Sequence, residues 1–444
     1  MKVSVIGLGK LGSPLAAVLA SKGHEVIGVD VNPQFVEKIN CSIAPVEEPG
    51  LQELMSAHRS SLKATLNYDE ALFNSDVTFV IVPTPTGQNG LFSNDYLLQA
   101  LEHVGHSLRK KTTYHLVVIT STVTPGSSGG EIQQTLEKFS LRRVGEDLGL
   151  CYNPEFIALG SVIKNMLFPD MILIGESDKK AGDLLEKLHH TVCGDKPLVR
   201  RMNLVNAEVT KIAVNTFVTT KISYANMLSD ICERLPGGDV DIVTEAVGLD
   251  SRIGSKYLKA AVAFGGPCFP RDNIALGALA QQLGARADIA LATQAVNHYQ
   301  YERLFSLVTQ QAPSLKVSIL GLSYKPGTNV VEESQGIKMA NYLVQQGYEV
   351  TVFDPQALIP AQKALHPSVQ AATSLQQCVQ SSDTVLIMTS WPEFSQQLTP
   401  ELFASHQVII DCWRILQRQA FKDVCKLIYL GCHEMKHHEL EICL

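Results

Sequence analysis

A glycine-rich turn near the start of the chain restricts the possible folds more than any other feature. Residues 2–7 (KVSVIG) form a short β-branched run of the kind found in buried parallel strands. The turn GLGKLG (7–12) follows, then the helical stretch SPLAAVLASKG and a second strand-like run, EVIGVD (25–30). This β-α-β order predicts the beginning of a parallel, doubly wound sheet.

The same turn predicts a dinucleotide site. In G-x-G-x-x-G the glycines permit a tight turn and a close approach of pyrophosphate to the helix N-terminus, which assigns Gly7, Gly9, Leu11 and Gly12 to the cofactor. Asp30 ends the second strand, where its carboxylate would accept hydrogen bonds from ribose hydroxyls and repel a 2′-phosphate. The sequence therefore predicts NAD rather than NADP, and the alternative is a glycine-rich turn without a ligand.

The pattern changes twice along the chain. Residues 203–235 contain neither Gly nor Pro and have an apolar period near 3.6, which predicts one long helix, with more helices to about residue 310. Strand-like runs occur before this region at 77–85 and 116–122, and after it at 316–325, 349–355, 384–390 and 407–413. We therefore predict an α/β protein with two Rossmann-like parallel sheets: an NAD-binding domain (1–198), a helical dimerisation domain with the long central helix (199–310) and a second nucleotide-type domain (311–444).

Composition excludes several classes of partner. The 444 residues carry a formal net charge of −7 without a long basic run, so nucleic acid is not an expected ligand. No apolar run approaches the roughly 20 residues that span a bilayer, and the N-terminus lacks the features of a signal peptide. The ten cysteines include no C-x-x-C pair. We expect a cytoplasmic protein with reduced thiols and no membrane contact.

One cysteine has an unusual setting, in the stretch FGGPCFPRD (264–272). From the residues alone, Cys268 is either a small buried apolar side chain or a nucleophile towards a carbonyl carbon. The preceding glycines and the nearby Arg271 and Asp272 favour a positioned thiol. Together with NAD, a thiol suggests oxidation of an alcohol to an aldehyde, addition of the thiolate, a second oxidation to a thioester, and hydrolysis to a carboxylic acid.

Eight separated motifs resemble, in order and spacing, those of the UDP-glucose/GDP-mannose dehydrogenase family, over nearly the whole chain. They are GLGKLGSPLAAVLASKGHEVIGVDVN, EEPGL, VPTPTGQNG, STVTPG, NPEF, VGLDSRIGSKYLKAAVAFGGPCFPRD, ILGLSYKPGT and TSWPEF. Within the family they are most similar to the UDP-glucose 6-dehydrogenases. The resemblance implies NAD-dependent, four-electron oxidation of UDP-glucose to UDP-glucuronate. Alternatives are another nucleotide sugar, such as GDP-mannose or a UDP-N-acetylhexosamine, and a nucleotide-sugar-binding protein with little turnover.

The resemblance also implies roles for individual residues. The implied catalytic residues are Cys268 as the thioester-forming nucleophile, Asp272 and Thr122 as the groups that hold the hydrolytic water, Lys211 and Asn215 as donors to the developing oxyanion, and Glu155 as the acid/base. Lys211 and Asn215 are four residues apart, hence on one face of the long helix. Without the resemblance, Lys211 and Glu155 would be interpreted as solvated surface charges.

For the ligands, the resemblance implies uridine on the C-terminal sheet, NAD on the N-terminal sheet and the sugar C6 between them. The implied sugar-binding residues are Glu155, Phe156, Lys211, Asn215, Arg252, Tyr257, Lys259, Gly265 and Lys325, and Thr84 and Thr122 join the NAD set. Arg252 would reach into the site of a second subunit, so a homodimer or a higher homo-oligomer is expected.

Four positions depart from the family pattern. Leu159 replaces a glutamate linked to the water-dependent steps, Val330 replaces an aspartate, and Glu332 replaces an arginine near the cofactor. Trp413 stands where related segments have arginine. Because leucine cannot relay a proton, thioester hydrolysis is expected to be slow unless Glu155 and Asp272 suffice, and NAD binding is expected to be weaker.

A final motif, HEMKH (433–437), matches the H-E-x-x-H pattern of zinc proteases. A catalytic zinc helix has to be buried in a cleft, and too few residues follow this motif to build one. No metal is therefore predicted.

Overall fold

A computed structural model describes residues 1–194 and 197–433. The chain divides into two compact units, Met1–Ala213 and Val214–Leu444. The unit boundary falls inside the long helix α9 (Leu204–Arg234), which confirms the single helix predicted for 203–235. A Pro-Gly-Gly turn follows at 236–238, where proline cannot continue a helix and glycine readily adopts turn conformations.

The first unit contains an eight-stranded sheet of order β3-β2-β1-β4-β5-β6-β7-β8. Its strands are β1 (Lys2–Ile6), β2 (Glu25–Val29), β3 (Leu62–Thr65), β4 (Val77–Val80), β5 (His115–Ile119), β6 (Leu148–Tyr152), β7 (Met171–Glu176) and β8 (Leu198–Asn203). Neighbouring strands are parallel except β6 and β7, which are antiparallel. The reversal of strand order at β1 and β4 confirms the predicted doubly wound sheet.

Helices cover both faces of this sheet. They are α1 (Gly12–Ser21), α2 (Pro33–Asn40), α3 (Leu51–Ala57), α4 (Tyr68–Phe73), α5 (Asp95–Leu108), α6 (Gln133–Ser140), α7 (Val162–Leu167) and α8 (Lys179–Val192), with a π-turn at Ser128–Ile132. The two faces of β1 belong to different cores, since Val3 and Val5 pack in one apolar cluster and Ile6 in the other. Burial on both faces explains the continuous apolar runs of these strands.

The second unit contains a parallel six-stranded sheet of order β11-β10-β9-β12-β13-β14. Its strands are β9 (Lys316–Leu320), β10 (Glu349–Phe353), β11 (Gln370–Ala371), β12 (Thr384–Ile387), β13 (Val408–Asp411) and β14 (Lys426–Tyr429). Its helices after α9 are α10 (Val240–Leu249), α11 (Phe269–Gln282), α12 (Asp288–Gln311), α13 (Gln335–Gln345), α14 (Leu358–Ala361), α15 (Leu375–Gln380), α16 (Pro392–Gln397) and α17 (Arg418–Phe421), with a 3₁₀ turn at Pro400–Leu402. The division into three functional domains stays a prediction.

The structure differs from the sequence-based expectation in several places. The first sheet was predicted to be parallel, but β6 and β7 are antiparallel, and no strand was predicted at β3, β6, β7, β8, β11 or β14. The strand predicted for 77–85 ends at Val80, because Pro83 and Pro85 lack the N–H group that a central strand needs. The region assigned to the helical domain from residue 199 begins instead with β8, whose side chains are exposed or half-buried. In β8, Arg201 pairs with Glu176 of the neighbouring strand at 2.7 Å. No helix in the described part of the chain is long and apolar enough to cross a membrane.

Candidate active site

The glycines of the turn after β1 leave room where a dinucleotide would need it. Gly7 has φ +93°, and a Cβ there would lie 2.2 Å from the carbonyl oxygen of Ile81. A Cβ on Gly12 would lie 1.8 Å from the carbonyl oxygen of Gly7, so both positions require glycine. A Cβ on Gly9 would have no heavy atom within 4 Å. This open space beside the start of α1 fits a pyrophosphate that approaches the backbone closely.

Asp30 stands immediately after β2 and holds the glycine turn. Its carboxylate accepts hydrogen bonds from the backbone N–H of Leu8 at 2.6 Å and of Asn32 at 2.8 Å. Asp30 is half-buried, and a carboxylate with about four lone-pair sites can accept hydrogen bonds beyond these two. The residues present therefore fit NAD, and the assignment of Asp30 to the adenosine ribose stays a prediction.

The other predicted cofactor residues lie at the start of α1 and after β4 and β5. Leu11 is the N-cap of α1 and is half-buried against the core. The Thr84 hydroxyl donates to the carbonyl oxygen of Thr122 at 2.6 Å, which joins the loops that follow the two strands. The carboxyl ends of parallel strands form one edge of a sheet, the usual location of ligands in this fold.

The loop after β6 carries Glu155 and Phe156, and both residues contact Lys211 of α9. We call these three residues the carboxylate cluster. Lys211 is 7% exposed; its Nζ donates to the carbonyl oxygen of Glu155 at 2.6 Å and lies 4.7 Å from the centroid of the Phe156 ring. Burial raises the pKa of Glu155 to about 7, and the nearby Lys211 charge opposes that rise. Glu155 can therefore exchange a proton close to neutral pH.

A carboxylate that was not predicted anchors the STVTPG loop to α9. Glu208 is fully buried, and its carboxylate accepts the backbone N–H groups of Gly126 at 2.6 Å and Ser128 at 2.7 Å. Glu208 precedes Lys211 by three residues, so one helix holds both the loop that contains Thr122 and the lysine of the carboxylate cluster. In the sequence, the signal that could have identified Glu208 is its spacing of three residues from Lys211, which places both on one face of the predicted helix.

The loop that carries Glu155 is held in a similar way. Glu48, from the EEPGL motif, accepts the backbone N–H of Gly160 at 3.1 Å and of Val162 at 2.7 Å. Leu159 is half-buried and packs against the apolar core of the first unit. The side chain that replaces the family glutamate therefore contributes apolar packing, and it has no group that could transfer a proton.

The second unit places Cys268, Asp272 and Asn215 together, and we call these residues the cysteine cluster. Cys268 is exposed and is the N-cap of the 14-residue helix α11. The backbone N–H of Asp272 donates to the Cys268 carbonyl oxygen at 2.8 Å. The Asp272 side chain is 1% exposed, and the Asn215 amide donates to its Oδ2 at 2.6 Å.

The two glycines before Cys268 are required because the backbone of residues 332–333 passes close to them. A Cβ on Gly265 would lie 2.2 Å from the carbonyl oxygen of Glu333. Gly266 has φ +84°, and its N–H donates to the carbonyl oxygen of Glu332 at 3.1 Å. The cysteine turn is therefore positioned by the backbone at 332–333, whatever side chain stands at residue 332.

The remaining predicted substrate residues differ in exposure. The Arg252 side chain is 86% exposed and forms an ion pair with Asp250 at 2.6 Å. Lys259 is exposed, and Tyr257, 53% exposed, has φ +63°, an uncommon conformation for a bulky residue. Lys325 is half-buried and follows β9, with its Nζ 5.9 Å from the centroid of the Tyr324 ring.

The other departures have simple structural surroundings. Val330 is 7% exposed, as expected for an apolar residue in place of aspartate, and its carbonyl oxygen accepts the N–H of Tyr324 at 3.0 Å. The Glu332 side chain is exposed. The Trp413 indole N–H donates to the carbonyl oxygen of Met388 at 3.0 Å. The expected effect on NAD binding stays a prediction.

Within residues 1–194 and 197–433, no group of three or more His, Cys, Asp or Glu side chains could hold a metal ion. Of the HEMKH motif, only His433 is described, and its ring lies 2.9 Å from the carbonyl oxygen of Glu233. The other four residues of the motif lie outside the described residues, so the absence of a metal stays a prediction.

Comparison with known proteins tests the resemblance over the whole chain. The NAD binding domain of the UDP-glucose/GDP-mannose dehydrogenase family matches residues 1–193, its central domain 205–299 and its UDP binding domain 318–418. A UDP-glucose 6-dehydrogenase of Haloferax volcanii is 35% identical over 435 residues, which cover 96% of this chain and 100% of that protein. A GDP-mannose 6-dehydrogenase of Pseudomonas aeruginosa is 35% identical over 358 residues, covering 80% of this chain and 81% of its own.

A solved structure agrees with the fold. The UDP-glucose dehydrogenase of the archaeon Pyrobaculum islandicum superposes with a TM-score of 0.88 at 33% identity, covering 98% of each chain. The three family domains, the two sheets and the glycine turn that fits NAD agree with one another. The chain belongs to the UDP-glucose/GDP-mannose dehydrogenase family and is an NAD-dependent nucleotide-sugar dehydrogenase.

Proposed function

We propose that this enzyme oxidises the C6 alcohol of UDP-glucose to the carboxylate of UDP-glucuronate, through a thioester on Cys268. The single observation that carries the proposal is the cysteine cluster: an exposed thiol at the start of α11, with a buried carboxylate one turn later that is fixed by Asn215. A protein that only binds nucleotide sugars has no need of a positioned nucleophile. NAD supplies the hydride acceptor, and two molecules are consumed for each sugar.

The cysteine cluster forms and opens the covalent intermediate in this proposal. The Cys268 sulfur adds to the C6 aldehyde and forms a C–S bond, and oxidation of that adduct leaves a thioester. Water then adds to the thioester carbon, the C–S bond breaks, and the thiol is released with the acid. Asp272, held by the Asn215 amide at 2.6 Å, orients this water and accepts its proton.

The carboxylate cluster accepts the proton of the C6 hydroxyl and stabilises the charge that develops on its oxygen. Glu155, whose pKa burial raises to about 7, accepts this proton as the alcohol is oxidised. The buried Lys211 ammonium, one helical turn before Asn215, donates to the oxygen on which negative charge develops. Asp272, and not residue 159, accepts the proton of the hydrolytic water, because Leu159 has no carboxylate.

The relatives also support the same chemistry on other nucleotide sugars. A GDP-mannose 6-dehydrogenase is as similar as the UDP-glucose enzyme in percentage identity, although the latter match spans more of the chain. A third possibility, slow or absent turnover, is motivated by Leu159, Val330 and Glu332. We favour UDP-glucose because the match that covers 96% of the chain is to an enzyme of that substrate.

A stoichiometry measurement tests the proposal. Purified enzyme with excess NAD and limiting UDP-glucose is expected to form two NADH per sugar, measured by absorbance, with UDP-glucuronate identified by mass spectrometry. GDP-mannose and UDP-N-acetylhexosamines serve as parallel substrates. Greater kcat/KM with one of these would move the assignment to that sugar, and binding of sugars without any NADH would support the non-catalytic alternative.

The acid/base role of Glu155 predicts a specific pH dependence. Because its pKa is raised to about 7, kcat should rise with pH up to about 7, as the carboxylate form becomes populated, and then level off. Glu155→Gln should lower kcat by about 10² to 10⁴-fold and remove that acidic limb. The measurement is kcat between pH 5.5 and 9 for both proteins. An unchanged acidic limb in Glu155→Gln would assign the titration to another group.

A further inference from the structure

The two sheets begin with nearly the same sequence and the same turn geometry. Residues 2–9 read KVSVIGLG and residues 316–323 read KVSILGLS. Gly7 and Gly321 each follow this strand and have positive φ, at +93° and +107°. The second sheet therefore repeats the strand and turn that fit the dinucleotide in the first sheet, with serine at the third position of the motif.

The repeat extends to an aspartate after the second strand of each sheet. In the first sheet, the N–H of Leu8 donates to Asp30 Oδ2 at 2.6 Å. In the second sheet, the N–H of Leu322 donates to Asp354 Oδ2 at 2.7 Å. Asp354 thus occupies the position in the second sheet that the predicted ribose-binding Asp30 occupies in the first.

The surroundings of the two aspartates differ. Asp30 is half-buried, whereas Asp354 is 2% exposed. Besides Leu322, five protein donors reach the Asp354 carboxylate: the N–H and hydroxyl of Ser323 at 3.0 and 3.2 Å, the indole N–H of Trp391 at 3.1 Å, and the N–H groups of Gln356 and Ala357 at 2.9 and 2.7 Å. A carboxylate has about four lone-pair sites, so Asp354 is fully occupied and cannot accept ribose hydroxyls.

Three of the six donors to Asp354 belong to Leu322 and Ser323, which begin the segment 322–325. The TSWPEF motif holds this segment from the other side, since the Thr389 hydroxyl donates to the Ser323 carbonyl oxygen at 2.8 Å. The segment follows β9, at the point where the strand order β10-β9-β12 reverses. Ligands of doubly wound sheets bind at this point, and the segment ends at the predicted substrate residue Lys325.

We propose that Asp354 is a positioning residue that fixes segment 322–325 for the nucleotide sugar, with Trp391 as the side chain that completes its hydrogen bonds. The inference rests on the proposed function in that segment 322–325 contributes to the nucleotide-sugar site. The second sheet then has a role distinct from that of the first, because its aspartate, Asp354, accepts hydrogen bonds from the protein and has no acceptor site left for a dinucleotide ribose.

A matched pair of aspartate variants tests the inference. Asp354→Asn removes one acceptor oxygen and presents an N–H₂ group to backbone donors, so it should weaken UDP binding at least about 10-fold and leave the affinity for NAD within about 2-fold. Asp30→Asn should do the reverse. Calorimetric titrations with UDP, GDP and NAD separate these effects from turnover, and the pH dependence of kcat should not shift in Asp354→Asn.

The two tryptophans of the chain provide a gentler test if Asp354→Asn does not fold, as judged by its melting curve. Trp391→Phe removes only the indole donor to Asp354 and should weaken UDP binding about 3- to 10-fold. Trp413→Phe removes the donor to Met388 and should leave UDP binding within about 2-fold. In Trp413→Phe the fluorescence of the remaining Trp391 should change on addition of UDP.

The outcomes separate this inference from the proposed function. Wild-type affinity for UDP in both Trp391→Phe and folded Asp354→Asn would overturn it, as would equal losses of UDP and NAD affinity. It would also be overturned if neither UDP nor GDP bound the wild-type protein. If the wild type binds UDP but forms no NADH from UDP-glucose, the proposed oxidation fails, while the variants' dissociation constants still decide the role of Asp354.

Discussion

Cys268→Ala is expected to lower formation of UDP-glucuronate by at least about 10³-fold, since removal of a covalent nucleophile can reduce kcat by about 10⁶-fold. Without the sulfur no thioester can form, so oxidation stops before the acid. Cys268 is exposed at the start of α11, and its replacement should not disturb the core. The measurements are NADH yield per sugar and quantification of the uronate.

A cysteine elsewhere provides the matched control. Cys41 is also exposed, in the first unit, and Cys41→Ala should retain wild-type kcat. In the wild type, intact-protein mass spectrometry after rapid acid quenching should detect the sugar thioester, and the adduct should map to Cys268. If Cys268→Ala formed UDP-glucuronate at the wild-type rate, this result would contradict the covalent mechanism.

Lys211→Met is expected to lower kcat by about 10² to 10³-fold, the usual loss when one donor to a developing oxyanion is removed. Methionine keeps much of the side-chain length that packs near Phe156, but it removes the charge. A second effect follows from electrostatics. Because the Lys211 charge opposes the rise in the pKa of Glu155, its removal should raise that pKa further above its usual range and shift the acidic limb of the kcat profile to higher pH.

Kinetics at several pH values check both effects of Lys211→Met. Lys179→Met is the control, because the Lys179 side chain is 84% exposed and pairs with Asp183 at the surface of α8. It should leave kcat and the pH profile unchanged. A Lys211→Met enzyme with wild-type kcat would exclude Lys211 from the reaction. A loss of kcat without a shift of the pH profile would show that the Lys211 charge does not influence the pKa of Glu155.

Local sequence patterns predicted much of the fold. The strand, turn, helix and strand at the N-terminus lie within one or two residues of their expected bounds, because periodicity and glycine geometry act over a few neighbouring residues. The long helix was equally readable from the absence of Gly and Pro in 203–235. The edge strand β8 was missed because its LVRRMN sequence mixes apolar and basic residues.

The sequence by itself determined the presence of two doubly wound sheets, the long helix, the glycine turn that fits NAD and the membership of Cys268 in a family motif, but not the antiparallel pairing of β6 and β7. Only the tertiary structure decided which polar side chains hold the loops of the site. Glu208 and Gly126 are 82 residues apart in sequence, and Glu48 and Gly160 are 112 apart. Sequence patterns report the conformation of neighbouring residues, whereas such hydrogen bonds form because folding brings distant segments together and buries them. For the same reason, the different roles of Asp30 and Asp354 became visible only from the donors that surround each carboxylate.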